Sequence, residues 1–248
     1  MKALVSWELN RPLVVMTLFA GLVMGFISVH SSYLNPYSTT HVISTTAPIE
    51  SFSLTPNNSA FWHVLKSLPR AGFSAYSFLV ILLGTLIFRY DKDTGYALTL
   101  YALPYRKFKI FLAKLTSLLI ITIVMLYLPL FLSIFLSNAT VAKHILPLMM
   151  GSFLRTLALI TMSLIYVATL TAFLSVVLRG MFPTLIGSYL VVQVSTTIGG
   201  DKLPPFSLFL KATQLYPSFD ISVVFQGIIL PLFLGILGMI LSERRDVM

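Results

Sequence analysis

Long apolar runs alternate with short basic or polar breaks along most of the chain. Six stretches carry the pattern: Leu13–Val29, Ala71–Phe88, Leu115–Leu136, Thr156–Leu178, Met181–Ile198 and Ile221–Leu241. Each approaches the ~20 apolar residues that cross a hydrocarbon core as a helix at ~1.5 Å rise per residue. Pro12 stands before the first stretch, where its fixed φ suits an opening helical position. Arg89 closes the second, Pro129 predicts a kink in the third, and the apolar tract of the fourth reaches back to Pro147. The first run is longer than a signal h-region and no small-residue cleavage site follows it, so it reads as a retained helix.

Composition sharpens the class. Only 10% of the 248 residues are charged and 57% are hydrophobic, whereas a soluble domain carries about 25% charge. The expected fold is all-α: one transmembrane domain over residues 1–248, with six spans. Lysines and arginines orient it. With the N-terminus inside, eleven of the seventeen (Lys2, Arg11, Arg89, Lys92, Arg106, Lys107, Lys109, Lys114, Arg179, Arg244, Arg245) fall on the inner side. Both termini are therefore expected in the cytosol of a multi-pass cell-membrane protein. The net charge of +9 is explained by this placement and not by a nucleic-acid patch.

Between the spans the outer side is built from three pieces. In "NNSAFWHVLKSLP", Asn58 or Ser59 offers an N-cap, Phe61, Val64, Leu65 and Leu68 share a face, and Pro69 is a stop. This predicts a short amphipathic helix, lying on the interface with Trp62 as anchor or packed on the spans. Ser137–Leu146 reads as a short turn. "GGDKLPPFSLFLKATQLYPSFD" is too apolar for a free loop and predicts a re-entrant or interfacial segment before the sixth span.

Several chemistries lack their residues. The absence of cysteine removes disulfides, thiolate metal sites and a cysteine nucleophile. All eight acids (Glu8, Glu50, Asp91, Asp93, Asp201, Asp220, Glu243, Asp246) fall outside or at the ends of the spans, away from the mid-membrane carboxylates of ion-coupled transporters. The four histidines have no metal-ligand spacing, and no phosphate-binding G-x-x-x-x-G-K-[ST] loop is present. No catalytic residue, cofactor or metal is expected. Arg155 lies within an apolar tract, either snorkelling to the outer interface or lining an exit path. Thr161, Ser163, Thr169, Thr171, Ser175, Ser188 and Ser195 could line a cavity or make helix–helix hydrogen bonds.

The segment "DKDTGYALTLYALPYRKFKIFLAKL", between the second and third spans, breaks the apolar pattern most sharply. Tyr96, Leu100 and Leu103 recur at helical spacing, Asp91 and Asp93 stand where a helix N-terminus favours carboxylates, and Pro104 ends the pattern. This predicts a short cytosolic helix over Asp91–Leu103, joined to two spans. The order "DTG" (Asp93, Thr94, Gly95), a leucine-rich turn and "LPYRKFKIFLAKL" resembles the cytosolic loop of type-2 ABC transporter permeases. Asp93 stands where that family usually has Glu, and Thr94-Gly95 reverses its Gly-Thr order. The resemblance covers Arg89–Leu115, with a weaker likeness at "LYPSFD" (Leu215–Asp220).

The resemblance implies a permease subunit of an ATP-driven exporter that hydrolyses no ATP itself. It would pair with a second permease chain, a homodimer or similar heteromer, and with a separate cytosolic ATPase. The loop would be the coupling helix, with Asp91, Asp93, Thr94, Gly95, Tyr96, Leu100, Leu103 and Pro104 as the partner-binding set. "KALVSWELNR" would be the family's interfacial elbow helix. The alternatives are a non-catalytic membrane assembly protein and a secondary transporter. The orientation is directly testable in this cysteine-free chain. A cysteine at Thr94 is expected to react with an impermeant thiol reagent only after cells are permeabilised, and labelling of intact cells would reverse the topology.

Overall fold

The computed structural model of the chain describes residues 2–34, 56–95, 105–198, 202–214 and 218–244, and the side chains of these except 2–3, 28–34, 56–72 and 133–149. These residues are overwhelmingly helical, with no strand among them. Helices α1 (Lys2–Leu9), α2 (Pro12–Leu34), α3 (Pro56–Asp93), α4 (Lys107–Val177), α5 (Met181–Thr197) and α6 (Phe206–Ala212) are followed by α7 (Ile221–Val224). A π-helical turn (Phe225–Ile229) then leads into α8 (Leu230–Arg244). Among the described residues, four helical stretches are long and apolar enough to cross a membrane: Phe73–Asp93, Lys107–Leu132, Met150–Val177 and Ile221–Arg244. They match the second, third, fourth and sixth predicted spans. The first predicted span lies within α2, and the fifth is α5, of 17 residues.

Straight, the 71 residues of α4 would extend roughly 106 Å. Yet the Tyr127 and Thr161 hydroxyls lie 2.8 Å apart. Limbs Lys107–Leu132 and Met150–Val177 therefore lie side by side and antiparallel, doubling back between 133 and 149. The reversal falls where a turn is expected, at Ser137–Leu146, although the main chain keeps helical hydrogen bonding there. A correction concerns Pro69. It does not stop a separate amphipathic helix; α3 runs through it as one element from Pro56 to Asp93. A proline inside a helix forfeits its own N–H bond to the carbonyl four residues back, and a long helix held by its neighbours tolerates that loss.

Close approach is bought with glycine. A Cβ on Gly25 of α2 would stand 2.9 Å from Cγ of Pro129, and still nearer the Tyr76 hydroxyl. The Pro129 ring, expected to mark a kink, thus fills the space against α2. On α8, Gly238 lies under Phe111, where a Cβ would meet Cζ at 2.8 Å. The core where these helices meet includes Val80, Ile81, Leu83, Leu118, Met125, Leu159, Leu164 and Val167, all essentially inaccessible.

Pro231 explains the π turn before it. Having no N–H, it cannot bond the Gly227 carbonyl, and its ring would crowd that oxygen. The main chain widens so that the Leu230 N–H reaches back to Phe225. Where the sequence predicts a re-entrant piece, a cis Pro204–Pro205 bond leads into the short α6. Ser207 Oγ donates to Gln226 Oε1 at 2.5 Å, Gln226 Nε2 donates to the Lys202 carbonyl at 3.0 Å, and Ser163 Oγ donates to the Pro205 carbonyl at 3.0 Å. Leu208, Phe209 and Ala212 are buried, with the Phe209 ring 4.3 Å from that of Phe73.

Candidate functional site at the base of the polar loop

Two core stripes end in charge. Along the first limb of α4, Phe111, Lys114, Leu118, Ile121 and Met125 follow each other at three- and four-residue steps, and all are buried. Val80, Gly84, Ile87 and Asp91 do the same on α3. Lys114 and Asp91 thus occupy core positions, 4% and 2% exposed. An isolated charge there would carry an effective desolvation penalty of several kcal/mol, so it needs a partner of opposite sign at contact distance.

The partners converge from four parts of the chain. Lys114 Nζ donates to Asp91 Oδ2 at 2.5 Å and to the Ile87 carbonyl at 2.7 Å, and lies 3.6 Å from Glu8 Oε1. Its three protons face three acceptors. Arg11 Nη2 lies 2.6 Å from the other Asp91 oxygen, and Arg11 Nε 3.2 Å from Glu8 Oε2. Trp7 covers the Arg11 guanidinium at 4.0 Å. Glu8 is 2% exposed. Two carboxylates and two cations therefore form a neutral, buried quartet joining α1, the α1–α2 junction, the last turn of α3 and the second turn of α4. Leu4, packed with Ile110 and Ala113, seats α1 beside it.

Burial raises the Glu8 carboxyl above the ordinary glutamate range. Lys114 and then Arg11 pull it back down, while Asp91 adds to the rise. Desolvation outweighs the attraction because Lys114 and Arg11 are shared with Asp91.

The predicted site residues divide. Asp91 and Asp93 do not open a new helix. They belong to the last turn of α3, which ends where Thr94 N–H bonds the Tyr90 carbonyl and Gly95 turns the chain at φ +79°. The expected start of the loop helix at Asp91 is corrected accordingly, because the quartet requires Asp91 on the core-facing stripe of α3. Its side chain is occupied inside the chain and is not exposed to a partner. Asp93 is exposed, and its Oδ2 accepts the main-chain N–H of Met181 at 2.7 Å, at the start of α5. The cap expected of Asp93 thus exists, but on a helix 88 residues further along. Tyr96, Leu100, Leu103 and Pro104 lie outside the described residues.

Sequence reasoning missed Glu8, Arg11 and Lys114 as site residues. The signal was legible in Lys114, a lysine on a heptad stripe between Phe111 and Leu118. Among the hydroxyl residues considered for a cavity, Thr169, Thr171, Ser175 and Ser195 bond carbonyls of their own helix. Thr161 and Ser163 reach other segments. Arg155 is exposed near the start of the second α4 limb. Compared with known proteins, the chain matches no family model, no curated protein and no solved structure.

Removing one member of the quartet leaves a buried charge uncompensated. Lys114→Met is expected to cost about 3–5 kcal/mol, the range for breaking a buried ion pair, and Asp91→Asn in that background should recover part of it. Unfolding of the purified single and double variants in detergent measures both, and strictly additive losses would argue against the coupling. Glu8 gives a pH test. Its folded pKa lies above its unfolded value, so its contribution is most favourable below the unfolded pKa and declines as pH rises through the window between the two. Relative to wild type, Glu8→Gln should therefore gain stability from acid towards neutral pH, as thermal unfolding across that range would show.

Proposed function

We propose that the chain is the membrane-spanning permease subunit of an ATP-driven exporter, working as a dimer with a separate cytosolic ATPase. One observation carries this reading. The segment whose sequence resembles the coupling loop of type-2 ABC permeases springs from two helix ends locked together, by Asp91 and Lys114, in one buried quartet. Glu8 and Arg11 fasten the N-terminal helix to the same point. A loop on such a footing can deliver a push from a soluble partner to three helices at once, whereas a loop needed only for orientation would require basic residues and no buried ion network.

Further features fit the same reading. Arg106, Lys109 and Arg179 are exposed at the loop end, which by the positive-inside rule is the cytosolic side. The described carboxylates Glu8, Asp91, Asp93, Asp220 and Glu243 lie at or beyond helix ends, away from the mid-membrane position that ion-coupled transport uses. An N-terminal helix, α1, and a short α6 before the last helix support the same reading.

Leu100 provides the test. A leucine buried in a partner groove contributes about 1.5–3 kcal/mol, and a charge in its place must also be desolvated. Leu100→Asp is expected to abolish recovery of the ATPase with the tagged chain at matched membrane expression. Retention of the ATPase at the wild-type level would sink the coupling-loop assignment. Recovery of no ATPase even with wild type would favour a non-catalytic assembly protein.

A further inference from the structure

The two acids of the last α3 turn face different parts of the molecule. Asp91 turns inward to the quartet, whereas Asp93 reaches the first residue of α5. Helix α5 is poorly equipped to hold that end by itself. Its N-cap position is Gly180, at φ +102°, which brings no side chain to the free N–H groups of the first turn. Pro183 has no N–H to offer.

The face that α5 turns to the bundle is built mostly of small side chains. Thr184, Ser188, Val192 and Ser195 are buried, with Leu185 and Tyr189 packed beside them and the Tyr189 ring edge-on to Phe78, while Phe182, Ile186, Leu190 and Val194 point outward. Thr184 and Ser195 spend their hydroxyls on carbonyls of α5 itself. Small side chains with inward-spent hydroxyls let helices approach closely. The Asp93 carboxylate, placed on the positive end of the α5 dipole, adds a directional polar hold at the start of a helix otherwise seated by packing.

We propose that Asp93 is a positioning residue that ties α5 to the base of the polar loop, so that displacement of the loop moves the start of α5. This rests on the permease reading and assigns α5 as the element on which the loop acts. It also separates Asp93 from the partner-binding set: Asp93 transmits within the chain, and contact with the ATPase is left to the loop beyond Gly95. Asparagine keeps an acceptor oxygen at this position and alanine keeps none, so the two variants divide the tie from the charge.

The full chain, free of native cysteine, is spin-labelled at Thr94→Cys and Phe182→Cys in lipid. A narrow distance distribution is expected with Asp93 and with Asp93→Asn. With Asp93→Ala, the released fraction should rise about fivefold, the usual size of a lost cap. In the ATPase complex, nucleotide should change the reactivity of a single cysteine at Leu190. Asp93→Ala should cut that change about fivefold, on the same scale, while ATPase recovery stays at the wild-type level. An unchanged distance distribution in Asp93→Ala overturns the proposal. So does loss of ATPase recovery to the degree seen with Leu100→Asp, which would make Asp93 a partner contact. If wild type recovers no ATPase, the permease reading fails separately, and the distances still decide whether Asp93 holds α5.

Discussion

A charge inside an apolar bundle has to be neutralised where it stands, and this constraint organises one end of the molecule. Lys114 sits one turn from Phe111 and one from Leu118, on a stripe that the packing of α4 turns inward. Its ammonium cannot reach water without unseating that stripe, so Asp91, Glu8 and the Ile87 carbonyl come to it. Arg11 then balances the second carboxylate. The result is neutral overall yet intolerant of losing any one member, because each remaining charge would keep its desolvation penalty without its compensation. Four chain segments distant in sequence acquire a fixed mutual position from this cluster.

Elsewhere the bundle is held by different means. Where lipid replaces water, apolar side chains gain little from leaving it, and helices associate through close packing and satisfied polar groups. Gly25 against Pro129 and Gly238 against Phe111 supply the close approach. Thr85, Thr122 and Thr171 turn their hydroxyls onto carbonyls one helical turn back, which lets polar residues occupy the core without inter-helix partners. Exceptions gather around α6, where Ser163, Ser207 and Gln226 bond across segments. There a short helix sits beside a π turn that Pro231 enforces.

One end of the molecule is tied by charge, and α5 is held beside it by packing and a single polar bond. The quartet makes α1, α3 and the start of α4 a single footing for the polar loop. Helix α5 is seated beside this footing by packing and by the Asp93 bond. The proposed permease would use such a division, with a rigid receiver for the push and a separate element that responds to it. The last turn of α3 touches both.

Much of the architecture was legible in the sequence, because hydropathy and helix length depend on local composition and on the thickness of a bilayer. The apolar runs at Ala71–Phe88, Leu115–Leu136, Thr156–Leu178 and Ile221–Leu241 each correspond to a long apolar helical stretch, with ends shifted by up to eight residues. Proline was less readable, since whether it stops a helix depends on what supports the broken turn: Pro69 lies inside α3, Pro129 packs on α2, and Pro231 widens α8's approach into a π turn. The polar loop stood out by composition, but the roles of its acids did not. Asp91 and Asp93 are two residues apart and look equivalent in a list of charges. Helical geometry sends one into a buried ion cluster with Glu8, Arg11 and Lys114, and the other to the N-terminus of a helix 88 residues away. Those pairings join segments that sequence separation cannot relate, so only the folded arrangement of the helices decides them.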